Sequence, residues 1–137
     1  MKQDNSYIRE LLIAVEEISG IDFDINSIQN LGYDINEEKF IYHFRLIADQ
    51  QLVTPASNTG YGFGYDGQHN FSWNSVVPFR ISARGHEFLS AVTKNEVWEK
   101  MKTDFSDASI SLVVQSGLKL AEGWAKKKVS ALLEDDQ

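Results

Sequence analysis

Tyr33-Asp34-Ile35-Asn36-Glu37-Glu38-Lys39-Phe40-Ile41-Tyr42-His43-Phe44-Arg45-Leu46-Ile47-Ala48-Asp49-Gln50-Gln51-Leu52-Val53 is the stretch that decides the architecture. Asp34 is placed to cap a helix start, with Glu37 three residues on to close a capping box. Phe40, Phe44 and Ile47 recur at helical spacing, and Ile41 and Ala48 widen the stripe. The expected helix runs from Asp34 to Gln50. A shorter segment from Ile25 to Gln29, followed by Leu31-Gly32, precedes it like the first half of a helix-turn-helix. In a DNA-binding protein the Asp34–Gln50 helix would read the groove. Its outward residues are Glu37, Glu38, Lys39, Tyr42, Arg45 and Asp49, so it carries more acid than base.

Upstream, Ile8, Leu11, Leu12, Val15 and Ile18 follow an i, i+3, i+4, i+7 rule and predict a first helix from Asp4 to Ile18. Asp4 or Ser6 caps it and Ser19-Gly20 ends it. Downstream, Leu52-Val53-Thr54-Pro55 reads as a short strand closed by proline. Tyr61, Phe63 and Tyr65 alternate with Gly62 and Gly64, Asp66-Gly67 signals a turn, and His69, Phe71 and Trp73 alternate again. This predicts an aromatic hairpin from Tyr61 to Trp73, with Val76 to Ile81 as the returning strand. Ser82 caps a helix that buries Phe88, Leu89 and Val92, and Asn95 restarts the chain before Val97-Trp98-Glu99-Lys100-Met101. From Asp107 to Leu133 a last helix carries the stripe Ile110, Val114, Leu118, Ala121, Ala125, Val129 and Leu132, with Trp124 beside it. It would reach on the order of 35–40 Å, longer than a small domain needs, so part of it is expected to pack on a second copy. Glu134-Asp135-Asp136-Gln137 reads as a frayed acidic tail.

The fold class is therefore α+β: a winged helix-turn-helix-like domain with an extended aromatic β-hairpin wing and a long C-terminal helix. Residues 1–93 form the winged-helix-like domain, and residues 94–137 form a helical extension that packs on it or on a second copy. The 137 residues suit one core. Without cysteine there is neither a disulfide framework nor a thiolate metal site. That suits a reducing, cytoplasmic setting. Met1 to Asn5 lead straight into an amphipathic helix rather than a signal peptide's apolar run. No apolar stretch approaches the roughly 20 residues of a membrane span.

Charge narrows the function. The net charge is −7, and the first 54 residues hold only Lys2, Arg9, Lys39 and Arg45 against ten acidic residues. Counterion release needs several cations aimed at phosphates, so ordinary duplex DNA binding is disfavoured. Residues 46–79 contain no Lys or Arg, which argues against base stacking with phosphate contact through the wing. Tyr61, Phe63, Tyr65, Phe71 and Trp73 remain as a partner-binding surface, although half-buried sheets also use such rings to cover a core. Gly62-Phe63-Gly64-Tyr65-Asp66-Gly67 fits G-x-G-x-x-G literally, but a strand rather than a helix N-terminus follows, so no cofactor is expected. His43, His69 and His86 are far apart, Asp66 with His69 makes a weak metal pair, and no nucleophile constellation is visible. Lys126-Lys127-Lys128 suits the C-terminal half of a helix through its dipole.

Four pieces carry a resemblance: Asp4 through Glu17, Gly32-Tyr33-Asp34, Ile81-Ser82-Ala83-Arg84-Gly85-His86-Glu87-Phe88-Leu89, and Val97-Trp98-Glu99-Lys100. On these the chain resembles the bacterial and phage family catalogued as domain of unknown function 2513. The resemblance implies a winged-helix-like fold and a bacterial or mobile-element origin. It implies no activity and no functional residue. The expected function is that of a non-catalytic interaction protein, binding a protein partner or itself through the aromatic wing or the long C-terminal helix. The alternative is a winged-helix DNA-binding regulator using Lys39, Arg45, Arg80 and Arg84.

Overall fold

Helix α1 (Asn5–Glu16) forms where the sequence stripe places it, with Ile8, Leu11, Leu12 and Val15 buried. The Asp4 carboxylate accepts from the Tyr7 N–H at 3.1 Å and caps it. This is a computed structural model, and it describes residues 1–58, 60–67 and 70–135. Helix α2 (Ile25–Asn30) spans only six residues, too few to persist on propensity alone. A reciprocal capping box holds it: Asp24 accepts from the Ser27 N–H at 2.9 Å, and Ser27 Oγ accepts from the Asp24 N–H at 3.1 Å.

Helix α3 (Glu38–Asp49) buries Phe40, His43, Phe44 and Ile47. Its start corrects the expected cap at Asp34. The helix begins after Glu37, and Asp34 accepts from the nearby Asn36 N–H at 3.0 Å within a turn. Ile35 supplies the reason, because it is a core residue at 7% exposure. A helix continued back to Asp34 would rotate Ile35 about 140° away from Phe40 on the buried stripe. The turn keeps it inside instead.

Strand β1 (Val53–Pro55) pairs antiparallel with the late strand β4 (Phe79–Ile81), matching Val53 to Ile81 and Pro55 to Phe79. Phe23 extends this small sheet, exchanging backbone bonds of 3.0 and 2.6 Å with Phe79. The second sheet joins β2 (Tyr65–Asp66) to β3 (Ser72–Trp73), with Tyr65 opposite Trp73 and Asp66 opposite Ser72. This shortens the expected Tyr61–Trp73 hairpin, and Asp66 is a paired strand residue rather than the first residue of a tight turn. The returning strand is likewise confined to Phe79–Ile81. Gly64 explains the shortening. Its φ is +86°, and its carbonyl accepts from the Asn74 and Ser75 N–H groups at 2.7 and 3.0 Å. A Cβ there would sit 2.1 Å from the Ser75 carbonyl oxygen. Period-two spacing before Gly64 therefore belongs to a left-handed turn, not to a strand.

Ser82 caps helix α4 (Ala83–Val92) by accepting from the Gly85 N–H at 2.9 Å. Helices α5 (Asn95–Asp104) and α6 (Ile110–Asp135) follow. The first part of α6 lies on α4, with Gly117 so close to the Phe88 ring that a Cβ would stand 2.8 Å from it. Val113 and Val114 thereby join the same hydrophobic core as Ile8, Phe44 and Phe79. The result is a mixed α+β fold with six helices, two small antiparallel sheets and a long C-terminal helix among the described residues. No described helix is long and apolar enough to cross a membrane.

Candidate interaction surface

The hairpin does not stand away from the body. Trp73 lies against Phe40 and Phe44, with ring centres 6.5 and 5.8 Å away, and its indole N–H donates to the Ile35 carbonyl at 2.9 Å. Phe63 contacts Phe44 and Phe79. Tyr65 sits between Phe63, Phe71 and Trp73 at 5.1–6.2 Å. Edge-to-face and offset pairs of this kind are the preferred aromatic geometry. Phe63, Tyr65, Phe71 and Trp73 thus form one half-buried layer over α3, while Tyr61 is 67% exposed. The sequence-level cue was the indole N–H, which needs an acceptor wherever it is covered.

The four basic residues of the DNA reading sit on three elements, α3, β4 and α4. Lys39 lies 3.6 Å from the Asp4 carboxylate and 4.8 Å from the Tyr7 ring centre. Arg84 donates from Nε to the Gln50 carbonyl at 3.1 Å, tying α4 to the end of α3. Arg45 and Arg80 are exposed on α3 and β4. Glu37, Glu38 and Asp49 share the exposed surface of that helix region.

His43 is buried, at 1% exposure, and is structural. The Asp4 backbone N–H donates to its Nε2 at 2.8 Å, so its Nδ1 carries the proton it gives to the Lys39 carbonyl at 2.6 Å. The ring latches the start of α1 to α3. His86 lies on the surface, 3.5 Å from the Glu16 carboxylate. His69, and with it the Asp66–His69 pair, lies outside the described residues. Among the described residues no group of three or more His, Asp or Glu is placed to hold a metal.

Tyr7 packs against His43 and Tyr33, with ring centres 4.7 and 5.9 Å away. Burial, aided by the charges of Glu37, Tyr33 and Asp4, pushes its hydroxyl from the ordinary 10.0 to about 12. Burial also raises Tyr33, with Glu10 adding to it. The folded pKa values exceed the unfolded ones, so this stability is complete below pH 10 and is lost as pH rises through the folded values. Urea unfolding should be insensitive to these groups near neutral pH, and its midpoint should fall between about pH 10 and 12. Tyr7→Phe should flatten that alkaline loss.

The C-terminal helix offers a different kind of surface. Every residue from Glu122 to Glu134 is exposed. Trp124, Val129, Leu132 and Leu133 stand at 39, 54, 66 and 61% exposure. The Lys94 and Lys128 ammonium groups sit 4.0 and 4.2 Å from the Trp124 ring centre, within cation–π range. A groove of about 250 Å³ runs between α5 and α6 over Val97, Leu120 and Trp124, bordered by Glu96, Lys100, Lys119 and Lys127. A second groove, about 510 Å³, lies between α4 and α6 over Leu118, Ala121 and Ala125, bordered by Glu87, Ser90, Lys119 and Glu122. Sequence periodicity revealed the stripe, but not which part of it the body would leave uncovered.

A family model described as "Hypothetical protein (DUF2513)" matches residues 2–111. No curated protein and no solved structure matches the chain.

Proposed function

The chain belongs to the DUF2513 family, and from that footing we propose that it is a non-catalytic interaction protein that binds another protein chain through the distal half of α6. The exposed run from Glu122 to Glu134 carries the reading, because it holds a valine and two leucines, Val129, Leu132 and Leu133, that are more than half exposed. A helix that ends in exposed leucines gains its order by laying them on something else. The order α1–α2–α3 followed by β1 and β4 supports the winged-helix-like reading, in a protein of bacterial or mobile-element origin. A DNA role gains nothing from the acidic exposed residues around α3, or from Lys39 and Arg84 resting on Asp4 and Gln50. The hairpin aromatics are spent mainly on covering α3, which leaves α6 as the stronger docking element.

The test replaces Val129, Leu132 and Leu133 together by serine. Exposed substitutions of this kind should change stability by no more than about 0.5 kcal/mol each. Thermal unfolding should stay close to that of the parent, while solution mass and chemical cross-linking to other chains should both fall. Undiminished association in the triple variant would contradict the proposal.

A further inference from the structure

The α6 stripe has a symmetry that bears on its partner. Leu118, Ala121, Ala125, Val129 and Leu132 are spaced 3, 4, 4 and 3 residues apart, so the pattern reads the same in both directions about Ala125. Their sizes follow in part: leucines stand at both ends and alanine at the centre, with Ala121 matched to the larger Val129. At 1.5 Å per residue the two leucines lie about 10 Å on either side of Ala125. The rotations of these five residues fall within about 80° of one another, so they share one face.

We propose that the partner of this face is a second copy of the chain, its α6 running antiparallel across the first with the two-fold axis at Ala125. The inference rests on the α6 docking proposed above and deepens it. In this register Leu118 meets the partner copy's Leu132, Ala121 meets its Val129, and the two Ala125 residues face each other. Small residues at the crossing let the helices approach within the 8–10 Å of ordinary helix packing. The groove bordered by Glu87, Ser90, Lys119 and Glu122 is the space the second copy's Val129 and Leu132 enter.

Charge fits the same register. Lys126 Nζ already lies 3.0 Å from Glu122 Oε1 within one helix, so both stand on one flank of the stripe. A two-fold axis perpendicular to antiparallel helices keeps each flank on its own side. Glu122 of one copy therefore falls about 3 Å along the axis from Lys126 of the other, and the reverse, so the two glutamates flank the two lysines that meet near the axis. On the opposite flank Lys128 approaches the wall that carries Glu87. A parallel pair, whose two-fold axis runs along the helices, exchanges the flanks and sets the two Glu122 residues on opposite sides of the seam, away from Lys126 of the other copy. The contact is isologous and closes at two copies.

The deciding experiment is sedimentation equilibrium of the full chain and of two reversals, Glu122→Lys and Lys126→Glu. The parent should approach the mass of two chains as concentration rises. Each variant alone places like charges together at both reciprocal positions, and its dimer should dissociate at least about tenfold more readily. Mixed in equal amounts, the two variants restore opposite charges at both positions and should form a mixed pair as tight as the parent. A parent of single-chain mass at all concentrations, variants that dimerise alone like the parent, or a mixture that fails to recover would each overturn the second-copy proposal. If the parent stays single while the serine triple variant still loses cross-linked chains of other proteins, the wider reading survives and only the second copy is lost.

Discussion

Replacing Phe44 by alanine is expected to destabilise the fold by about 4 kcal/mol, the middle of the range for a buried aromatic. Phe44 is 2% exposed and stands where three layers meet. Its ring faces Phe40 on its own helix, Phe63 and Trp73 from the hairpin, and Phe79 from β4, with ring centres 5.5–5.8 Å away. Truncation would remove the contact surface of all four at once and leave a cavity that none can fill without breaking its other contacts. The Trp73 N–H bond to the Ile35 carbonyl resists collapse from one side. The β1–β4 pairing around Phe79 resists it from the other. Chemical denaturation should show a much lower midpoint, and near-ultraviolet dichroism should lose much of its aromatic signal. A loss below about 1 kcal/mol would mean that the hairpin does not rest on α3 as described.

Gly85→Ala should cost about 3 kcal/mol, although alanine is the better helix former. A Cβ at this position would lie 2.1 Å from the Leu52 carbonyl oxygen and 2.8 Å from the Ile81 side chain. The obstacle is backbone, not the mobile end of a side chain, so α4 itself would have to move away from the start of β1. That movement would stretch the clasp at Ser82. The Ser82 N–H donates to the Leu52 carbonyl at 3.0 Å, and its hydroxyl lies 2.5 Å from the Gln51 carbonyl. Thermal unfolding of Gly85→Ala measures the cost. Gly123→Ala is the control, since its added Cβ would meet nothing within 4 Å, and it should leave stability unchanged or slightly higher.

These two sites also show where the sequence was legible. Ser82 as a helix cap and Phe44 in a buried stripe could both be read from spacing, because capping and amphipathic periodicity are local signals. The close approach at Gly85 could not, since Leu52 lies 33 positions earlier in the chain. Asp34 misled for a similar reason: the need to bury Ile35 overrides a locally sound capping box. In the hairpin, alternation of rings and glycines looked like a strand, yet Gly64 turns the chain and only two residue pairs form a ladder. The rings alternate there because they fold back on Phe44 and Phe79. The α6 stripe was visible from end to end, but only the packing of Gly117 on Phe88 shows where the body stops covering it.

Hydrogen exchange along α6 tests the central claim most directly, because the uncovered end of a helix frays and opens readily while a docked part is protected. From Val113 to Leu118, where the helix lies on α4, protection should be high at every protein concentration. From Glu122 to Glu134 it should be weak in dilute solution and rise steeply with concentration, as a second copy covers the leucines. Exchange across Glu122–Glu134 that stays the same from dilute to concentrated protein would contradict the account.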